Sequence, residues 1–236
     1  MSGVTEWEPE AHNWVRWART PGHDAYWYYR DAFFELLPPP GARTIELGCG
    51  EGRVARDLVQ RGHRVIGVEA ARTLARHARD ADPASSYVVA DGAAVPCAGR
   101  AFDLVVAYNS LQVVADMRGT VREAARLLRP GGHFCLTVSH PAMDLGTFVE
   151  TDAGTVFAVR SSYFESRRVE DTLGSDGLEV TCRGWTYTLE DYMQALGDAG
   201  LVVEAMREPL PNGPSAKFER WREVPLFLMA RTVLAR

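Results

Sequence analysis

Short apolar runs alternate with stretches of helical periodicity along the first half of the chain. Buried strands are predicted where apolar residues follow one another, and helices where they recur every three to four positions. In chain order, the pattern predicts strand, helix, strand, helix, strand, strand, helix and strand at 44–47, 54–59, 64–69, 71–79, 86–91, 101–109, 118–128 and 133–139. This alternation predicts an α/β domain with helices on both faces of a mostly parallel sheet.

The segment before the first strand, residues 1–40, is crowded with aromatic side chains. Helices are predicted at 11–19 and 24–37, because Thr20-Pro21-Gly22 separates them and the prolines at 38–40 end the second. The aromatic rings either line a pocket or cover the sheet, and the pattern leaves both interpretations open. We treat 1–40 as an N-terminal helical cap and 41–236 as the main domain.

The stretch after the fifth strand, residues 141–184, has no clear helical period. It carries several glycines and a β-prone piece at 155–159, which favours an inserted hairpin or lid over the substrate. Thr188 then has the form of a helix cap. Beyond it the pattern predicts a helix, an edge strand, a Pro/Gly loop and a second edge strand at 188–200, 201–206, 210–217 and 225–234.

The length of 236 residues suits one such domain with appendages. The net charge of -5 argues against a general nucleic-acid binder, which would carry a basic stripe. The four cysteines have no metal-ligand spacing, so no metal is expected. Neither a signal segment nor a long apolar run is present, and we expect a cytoplasmic protein without a membrane partner.

Three glycines at alternate positions, Gly48, Gly50 and Gly52, lie between the first strand and the helix after it. Glycine lets the backbone turn tightly and approach a ligand, and turns of this kind bind nucleotides. A dinucleotide fingerprint requires a small residue where Arg53 stands. Glu46, two residues before the first glycine, would repel a pyrophosphate and attract an ammonium group. A nicotinamide-dependent oxidoreductase is therefore disfavoured.

The segment from Glu46 to Gly52 resembles the first motif of the class I S-adenosylmethionine-dependent methyltransferases, of the small-molecule type 11 kind. The turn Arg129-Pro130-Gly131-Gly132 matches the same family, and the resemblance runs motif by motif from 44 to about 140. It implies a doubly wound, Rossmann-like sheet of seven mostly parallel strands in the order 3-2-1-4-5-7-6, with the helical cap and the lid as additions. It also implies S-adenosylmethionine as the cofactor.

Two further acids follow predicted strands. Glu69 lies 19 residues after Gly50, where nucleotide-binding folds place an acid on the ribose hydroxyls. By the resemblance, Asp91 accepts a hydrogen bond from the adenine amino group, and the residues after the fourth strand, among them Gln112, surround the sulfonium. The predicted cofactor site comprises Tyr28, Glu46, Gly48, Cys49, Gly50, Gly52, Glu69, Ala70, Asp91, Gly92, Ala93, Asn109, Ser110 and Leu111.

The cap supplies aromatic candidates for the same site. In related methyltransferases a helix in this place covers the cofactor and the substrate. Tyr26, Tyr28 and Tyr29 are therefore candidates for reaching the methionyl end of the cofactor. Trp27, Tyr29 and Tyr163 are predicted to contact the substrate.

Methyl transfer depends mainly on alignment of two reactants. A hydroxyl or protonated amine acceptor also needs a general base. His140 is the first candidate for a catalytic base, because it follows the fifth strand next to the switch point of the sheet and imidazole titrates near neutral pH. An equal alternative is that His140 has a structural role and forms hydrogen bonds with the backbone before Pro141. His23, Tyr163 and Glu165 are lesser candidates.

These features together predict in-line methyl transfer to a small planar or apolar acceptor, such as a natural product or a quinone-like metabolite. The alternative is a scaffold that binds S-adenosylmethionine and either holds a ligand or catalyses a cyclisation or rearrangement without methyl transfer. Nucleic acid is not an expected partner, and a homodimer stays an open alternative.

Overall fold

The computed structural model describes residues 6–152, 154–175, 177–213 and 218–235. Within these residues six helices and eleven strands form, and none of the helices combines the length and apolar character of a bilayer-spanning segment. In chain order they are α1 (Ala11–Arg19), α2 (Tyr26–Phe34), β1 (Thr44–Leu47), α3 (Arg53–Gln60), β2 (Val65–Glu69), α4 (Arg72–Ala81), β3 (Ser86–Val89), β4 (Phe102–Tyr108), α5 (Met117–Leu127), β5 (Leu128–Ser139), β6 (Gly146–Thr151), β7 (Gly154–Val159), β8 (Arg168–Ser175), β9 (Leu178–Trp185), α6 (Leu189–Asp198), β10 (Leu201–Arg207) and β11 (Phe227–Leu234).

Seven of the strands form one sheet in the order β10-β11-β5-β4-β1-β2-β3. The five strands from β1 to β5 run parallel, whereas β11 is antiparallel to both β5 and β10. The predicted strand order is confirmed: β10 is the predicted sixth strand of the sheet along the chain, and β11 is the predicted seventh. The strand order reverses between β1 and β4, and a crevice opens at the carboxyl ends of the strands at such a point.

Both faces of the sheet are covered, as the uninterrupted apolar runs of its central strands require. On one face α5 and α6 bury Val121, Leu127 and Leu196 against β4 and β5. On the other face α2 and α3 bury Phe33 and Leu58. The sheet is therefore rigidly held at its centre, where the crevice lies.

Two antiparallel hairpins, β6–β7 and β8–β9, occupy the stretch for which an inserted hairpin or lid is predicted. The second hairpin is tied to the loop after β4, because Trp185 donates its backbone N–H to the carbonyl of Gln112 at 2.8 Å. Gly184 permits this approach, since a Cβ there would lie 2.6 Å from the same carbonyl oxygen. The hairpin thereby reaches the switch point of the sheet.

The helical cap is tied to the glycine turn by partly buried ion pairs. Arg19, the last residue of α1, lies 2.5 Å from a carboxylate oxygen of Glu51, whose side chain is fully buried. Arg56 contacts the same carboxylate at 2.8 Å. Asp24, just before α2, pairs with Arg53 at 2.6 Å. The cap is therefore fixed over the β1–α3 turn by charge as well as by apolar packing.

Some boundaries differ from the predictions. The helix predicted to reach residue 37 ends at Phe34, and the chain tightens into i→i+3 turns before the prolines. The strand predicted from His133 begins at Leu128, because Arg129 to Gly132 bulge out between two paired stretches. Thr188 caps α6 in a full capping box. Part of the loop predicted at 210–217 lies outside the described residues.

We expect Glu51→Gln to lower the free energy of unfolding by about 1–3 kcal/mol, because it leaves two partly buried guanidinium groups without their counter-charge. Urea unfolding measures this loss. The matched control is Glu35→Gln, since the Glu35 side chain is 72% exposed and its pair with Arg207 is long, at 3.5 Å. Equal stability of Glu51→Gln and the control would contradict the role assigned to this carboxylate.

Candidate active site

A cavity of about 680 Å³ lies at the carboxyl ends of the parallel strands, beneath α1 and the β8–β9 hairpin. Its volume falls within the range of small-molecule sites, roughly 300–1,000 Å³. The residues that follow β1, β2, β3 and β4 all contribute to its wall. The cavity therefore occupies the crevice that the strand order creates.

The glycine turn forms one wall of the cavity. Gly48 has a φ of +72°, and a Cβ there would lie 2.5 Å from the Cβ of Ser110. Ser110 in turn donates its hydroxyl to the carbonyl of Leu47 at 2.7 Å. Gly50 also has a positive φ, of +56°, and Trp14 of the cap lies directly over it. Only glycine allows the turn to fold this tightly between β4 and the cap.

Glu46, on β1, is 1% exposed and lines the cavity. Its Oε2 atom is buried and has no hydrogen-bond partner among the described residues. Burial, and next the nearby Glu69 carboxylate, raise the pKa of Glu46 to about 8. A buried carboxylate without a partner is unfavourable, so this position suits a ligand that brings a cationic hydrogen-bond donor.

Glu69, at the end of β2, holds the glycine turn in place. Its Oε2 accepts the backbone N–H of Gly50 at 2.8 Å, and its Oε1 accepts that of Ala71 at 2.9 Å. Burial raises the pKa of Glu69, and these backbone donors oppose the shift. Each carboxylate oxygen can accept a second hydrogen bond. The predicted ribose contact stays a prediction, and the bracing of the turn is a role that sequence reasoning missed.

The structure gathers ten of the fourteen predicted cofactor residues around this one cavity. They come from four different strand ends that are far apart in the chain. The carboxylate of one of them, Asp91, also accepts the backbone N–H of Ala93 at 2.9 Å and so stabilises the local turn. The ten that line the cavity are Glu46, Gly48, Cys49, Gly50, Glu69, Ala70, Asp91, Gly92, Asn109 and Ser110.

Three of the other predicted cofactor residues lie behind the cavity wall. Gly52 faces α4, where a Cβ would lie 3.0 Å from that of Ala78. Leu111 is fully buried in the core beneath α5. Ala93 donates its backbone N–H to the Asp91 carboxylate and does not line the cavity. The prediction of direct contact with the cofactor is therefore corrected for these three.

Of the aromatic residues predicted from α2, Tyr26 lines the cavity, and the predictions for the other three are corrected. Tyr28 packs against Phe218, with ring centroids 4.7 Å apart, and does not line the cavity. Tyr29 is 1% exposed and packs edge-on against Phe227. Trp27 lines a separate cleft on the other side of the cap. The rotation of α2 about its axis, which the sequence does not specify, decides which rings face inward.

His140 and Tyr163 point away from the cavity. Ser139, at the end of β5, lines the cavity, and successive side chains of a strand alternate between faces. His140 accordingly uses both ring nitrogens elsewhere: Nδ1 accepts the backbone N–H of Ala142 at 3.0 Å, and Nε2 lies 2.8 Å from Glu208. The hydroxyl of Tyr163 accepts the backbone N–H of Leu189 at 3.0 Å. This geometry disfavours the predicted catalytic and substrate-binding roles.

Of the lesser base candidates, Glu165 is exposed and outside the cavity wall, whereas His23 lines it. Sequence reasoning missed most of the aromatic wall, although Tyr108 could have been found from its position at the end of the fourth strand. The aromatic side chains that do line the cavity are Trp7, Trp14, Trp17, Tyr26, Tyr108, Trp185, Phe218, Trp221 and Phe227.

Further buried polar atoms in the cavity wall lack partners within the described part of the chain. They are the hydroxyl of Tyr108, Oδ1 of Asn109 and Oε1 of Gln112, all at or just after the end of β4. Together with Glu46 they present mostly hydrogen-bond acceptors. Buried polar groups are normally paired, so a ligand that carries several donors would complete this wall.

Arg53 follows the glycine turn and lines the cavity, and its charge is already balanced. It pairs with Asp24 at 2.6 Å, and its guanidinium lies over the rings of Trp14 and Tyr26, 5.3 and 4.4 Å from their centroids. The carboxylates of Glu46, Glu69 and Asp91 face the cavity and pair with no cation in the described part of the chain. This half of the cavity is acidic and disfavours a pyrophosphate.

Comparison with known proteins finds a family model that matches part of this chain. Residues 45–136 match the family model described as "Methyltransferase domain". The matched region runs from β1 to β5 and contains the glycine turn, Glu69, Asp91 and the end of β4.

Two relatives and one solved structure illustrate the likeness. The chain is similar to the ubiquinone biosynthesis O-methyltransferase of Methylobacterium sp. (strain 4-46), with 39% identity over 101 residues, or 41% of each chain. It is also similar to the 27-O-demethylrifamycin SV methyltransferase of Amycolatopsis mediterranei (strain S699), with 27% identity over 86% of this chain and 85% of the other. The match spans about two fifths of the length of this ubiquinone biosynthesis relative and of two other curated relatives.

The solved structure is an S-adenosylmethionine-dependent methyltransferase from Mesorhizobium loti. Its TM-score is 0.73 at 23% sequence identity, and the superposition covers 89% of this chain and 98% of the other. At this identity the likeness establishes a shared fold.

We expect the unpartnered Glu46 carboxylate to make the ligand-free protein less stable as pH rises. Its pKa is raised from the ordinary 4.5 to about 8, so the folded protein holds the proton more tightly than the unfolded chain. The stabilising contribution is complete below about pH 4.5 and is lost as the pH rises through about 8. Glu46→Gln should remove this dependence and raise stability above pH 8 by roughly 1–3 kcal/mol.

Urea unfolding at a series of pH values measures the effect, with Glu179→Gln, an exposed site on β9, as the control. Identical stability profiles for Glu46→Gln and the wild-type protein would contradict a raised pKa at this site.

Proposed function

We propose that the protein is an S-adenosylmethionine-dependent methyltransferase that methylates a hydroxyl group of a small molecule. The match of residues 45–136 to the family model described as "Methyltransferase domain" supports this proposal. The observation that carries the proposal is the Glu46 carboxylate, which is buried and unpartnered in the wall of an acidic cavity. S-adenosylmethionine has an ammonium group to pair with it. A nicotinamide dinucleotide has a pyrophosphate instead.

The cavity wall offers a place for each part of the cofactor. Glu46 and the glycine turn would hold the amino-acid part, Glu69 would accept from the ribose hydroxyls, and Asp91 would accept from the adenine amino group. The ammonium group, the ribose hydroxyls and the adenine amino group are hydrogen-bond donors, and each of these carboxylates is an acceptor in the wall. The hydrogen-bond donors of the cofactor thus complement a cavity wall that is rich in acceptors.

When bound, S-adenosylmethionine supplies an electrophilic methyl group on a positively charged sulfur. The protein needs to align the acceptor with that group, and alignment can supply about 7–11 kcal/mol of the barrier. The aromatic side chains from α1, the β8–β9 hairpin and the start of β11 surround the reaction space and exclude water from it. No metal or covalent intermediate is required for such a displacement.

The acceptor is proposed to be a planar or apolar small molecule with a hydroxyl group. Trp185, Trp221 and Phe227 line the part of the cavity that lies beyond the acids, and flat rings pack well against such side chains. Relatives named for ubiquinone biosynthesis and for demethylrifamycin support this class of acceptor.

We expect S-adenosylhomocysteine to raise the melting temperature of the protein and NAD to leave it unchanged. Glu46→Gln should weaken the binding of S-adenosylhomocysteine at least about tenfold, because the variant lacks the negative charge that faces the ammonium group. The control Glu179→Gln should bind as the wild-type protein does. Stabilisation by NAD alone would overturn the proposal.

Incubation with S-adenosylmethionine and a panel of small phenols, catechols and hydroquinones tests the reaction itself. Mass spectrometry should show acceptors that have gained one methyl group, together with an equal amount of S-adenosylhomocysteine. A rearranged acceptor without S-adenosylhomocysteine would instead favour the scaffold alternative.

A further inference from the structure

The cavity continues past the three acids to the other side of the switch point. This second part lies over β4, β5 and β11, where Tyr108, Ser139 and Phe227 line it, and we call it the acceptor half. The acids Glu46, Glu69 and Asp91 lie over β1, β2 and β3 in the sheet order. A base that serves the acceptor must therefore come from the acceptor half.

Most titratable groups of the acceptor half are unsuited to that role. Glu170 is paired with Arg183 at 2.8 Å, and Asp171 is exposed. Burial raises the pKa of Tyr108 well above its ordinary value, so its phenol stays neutral. Asp144 is the remaining carboxyl group in the wall of this half.

The two histidines considered from the sequence are engaged by other protein groups. His140 faces Glu208 outside the cavity. His23 belongs to the cap, where its ring packs edge-on against Trp17 with centroids 4.3 Å apart.

Asp144 lies in a short 3-10 turn, Met143–Leu145, which comes four residues after the end of β5. It is half-buried and lines the cavity. Arg167 donates to the backbone carbonyl of Asp144 at 2.6 Å, which fixes the turn. Among the described residues, none forms a hydrogen bond with its carboxylate. The carboxylate is therefore available to a ligand.

The surroundings of Asp144 place its titration near neutral pH. Burial raises its pKa to about 6, and the Arg167 guanidinium opposes this shift. Tyr192 on α6 is the other titratable group in electrostatic contact with it, and burial raises the pKa of that phenol so that it stays neutral. A carboxyl group with these properties is mostly ionised at neutral pH and is a competent proton acceptor.

We propose that Asp144 is the catalytic base, and that it takes the proton from a hydroxyl acceptor bound in the acceptor half. This inference rests on the proposed function and names the residue that the sequence did not reveal. In the step, the acceptor oxygen forms a bond to the methyl carbon as the bond between carbon and sulfur breaks, and sulfur keeps that electron pair. The hydroxyl proton moves to Asp144 and then to water.

Three variants test the role: Asp144→Asn, Asp144→Glu, and the control Glu165→Gln, a carboxylate of the same insertion that is exposed and outside the cavity. S-adenosylmethionine is the methyl donor, and phenol, catechol and thiophenol are the acceptors. Thiophenol is largely ionised at neutral pH and needs no base. The melting-temperature shift with S-adenosylhomocysteine is measured first for every variant.

Asp144→Asn should lower kcat for phenol and catechol by about 10²-fold or more, with KM changed only a few-fold. Its rate with thiophenol should match that of the wild-type protein, and Asp144→Glu should recover part of the lost rate. The wild-type kcat for phenols should rise with pH through about 6, the pKa of Asp144, and this limb should vanish in Asp144→Asn. Glu165→Gln should behave as the wild-type protein throughout.

Other outcomes overturn the inference. A wild-type kcat for phenols in Asp144→Asn, or an equal loss with thiophenol and with phenols, would show that Asp144 is not a base. The same holds if Asp144→Asn no longer binds S-adenosylhomocysteine, or if the wild-type protein methylates thiophenol alone or none of the three. Absence of S-adenosylhomocysteine binding by the wild-type protein would instead overturn the proposed function itself.

Discussion

The binding site depends on a buried carboxyl group, Glu46, whose Oε2 atom has no hydrogen-bond partner among the described residues. Glu46 is buried because β1 lies at the centre of the sheet and the glycine turn closes immediately beyond it. A buried carboxylate with an open hydrogen-bonding position is costly for a folded protein. A ligand that brings a positive charge removes that cost, which gives the cavity its preference for an aminoacyl nucleoside.

The rest of the fold keeps this carboxylate in place. Glu69 fixes the glycine turn through the backbone N–H of Gly50, and Glu51 and Arg53 join that turn to the cap through ion pairs. These groups are already paired within the protein, whereas the Glu46 carboxyl group is available to the ligand. The acids in and around the turn are thus of two kinds: some stabilise the protein and one binds the ligand. Their difference is visible only in the hydrogen bonds.

The strand order and most of the cofactor wall could be predicted because both follow from local signals. Apolar runs mark the strands, and parallel strands bring their carboxyl ends to one edge, so acids distant in sequence meet there. The predictions failed where the rotation of a helix or strand about its axis decides which side chains face the cavity. Tyr29 and Tyr26 lie on one short helix, yet only Tyr26 reaches the cavity. His140 and Ser139 are neighbours, and strand alternation sends the histidine outward. No sequence motif surrounds Asp144, so its place in the cavity wall could not be predicted.

The most direct measurement is a calorimetric titration with S-adenosylhomocysteine near pH 7, in buffers of different ionisation enthalpy. With the pKa of Glu46 near 8 in the free protein, the account predicts binding accompanied by release of a proton, because the ammonium group replaces it. Glu46→Gln should bind more weakly and release none. Absence of binding heat, or binding whose proton release is unchanged in Glu46→Gln, would contradict the account.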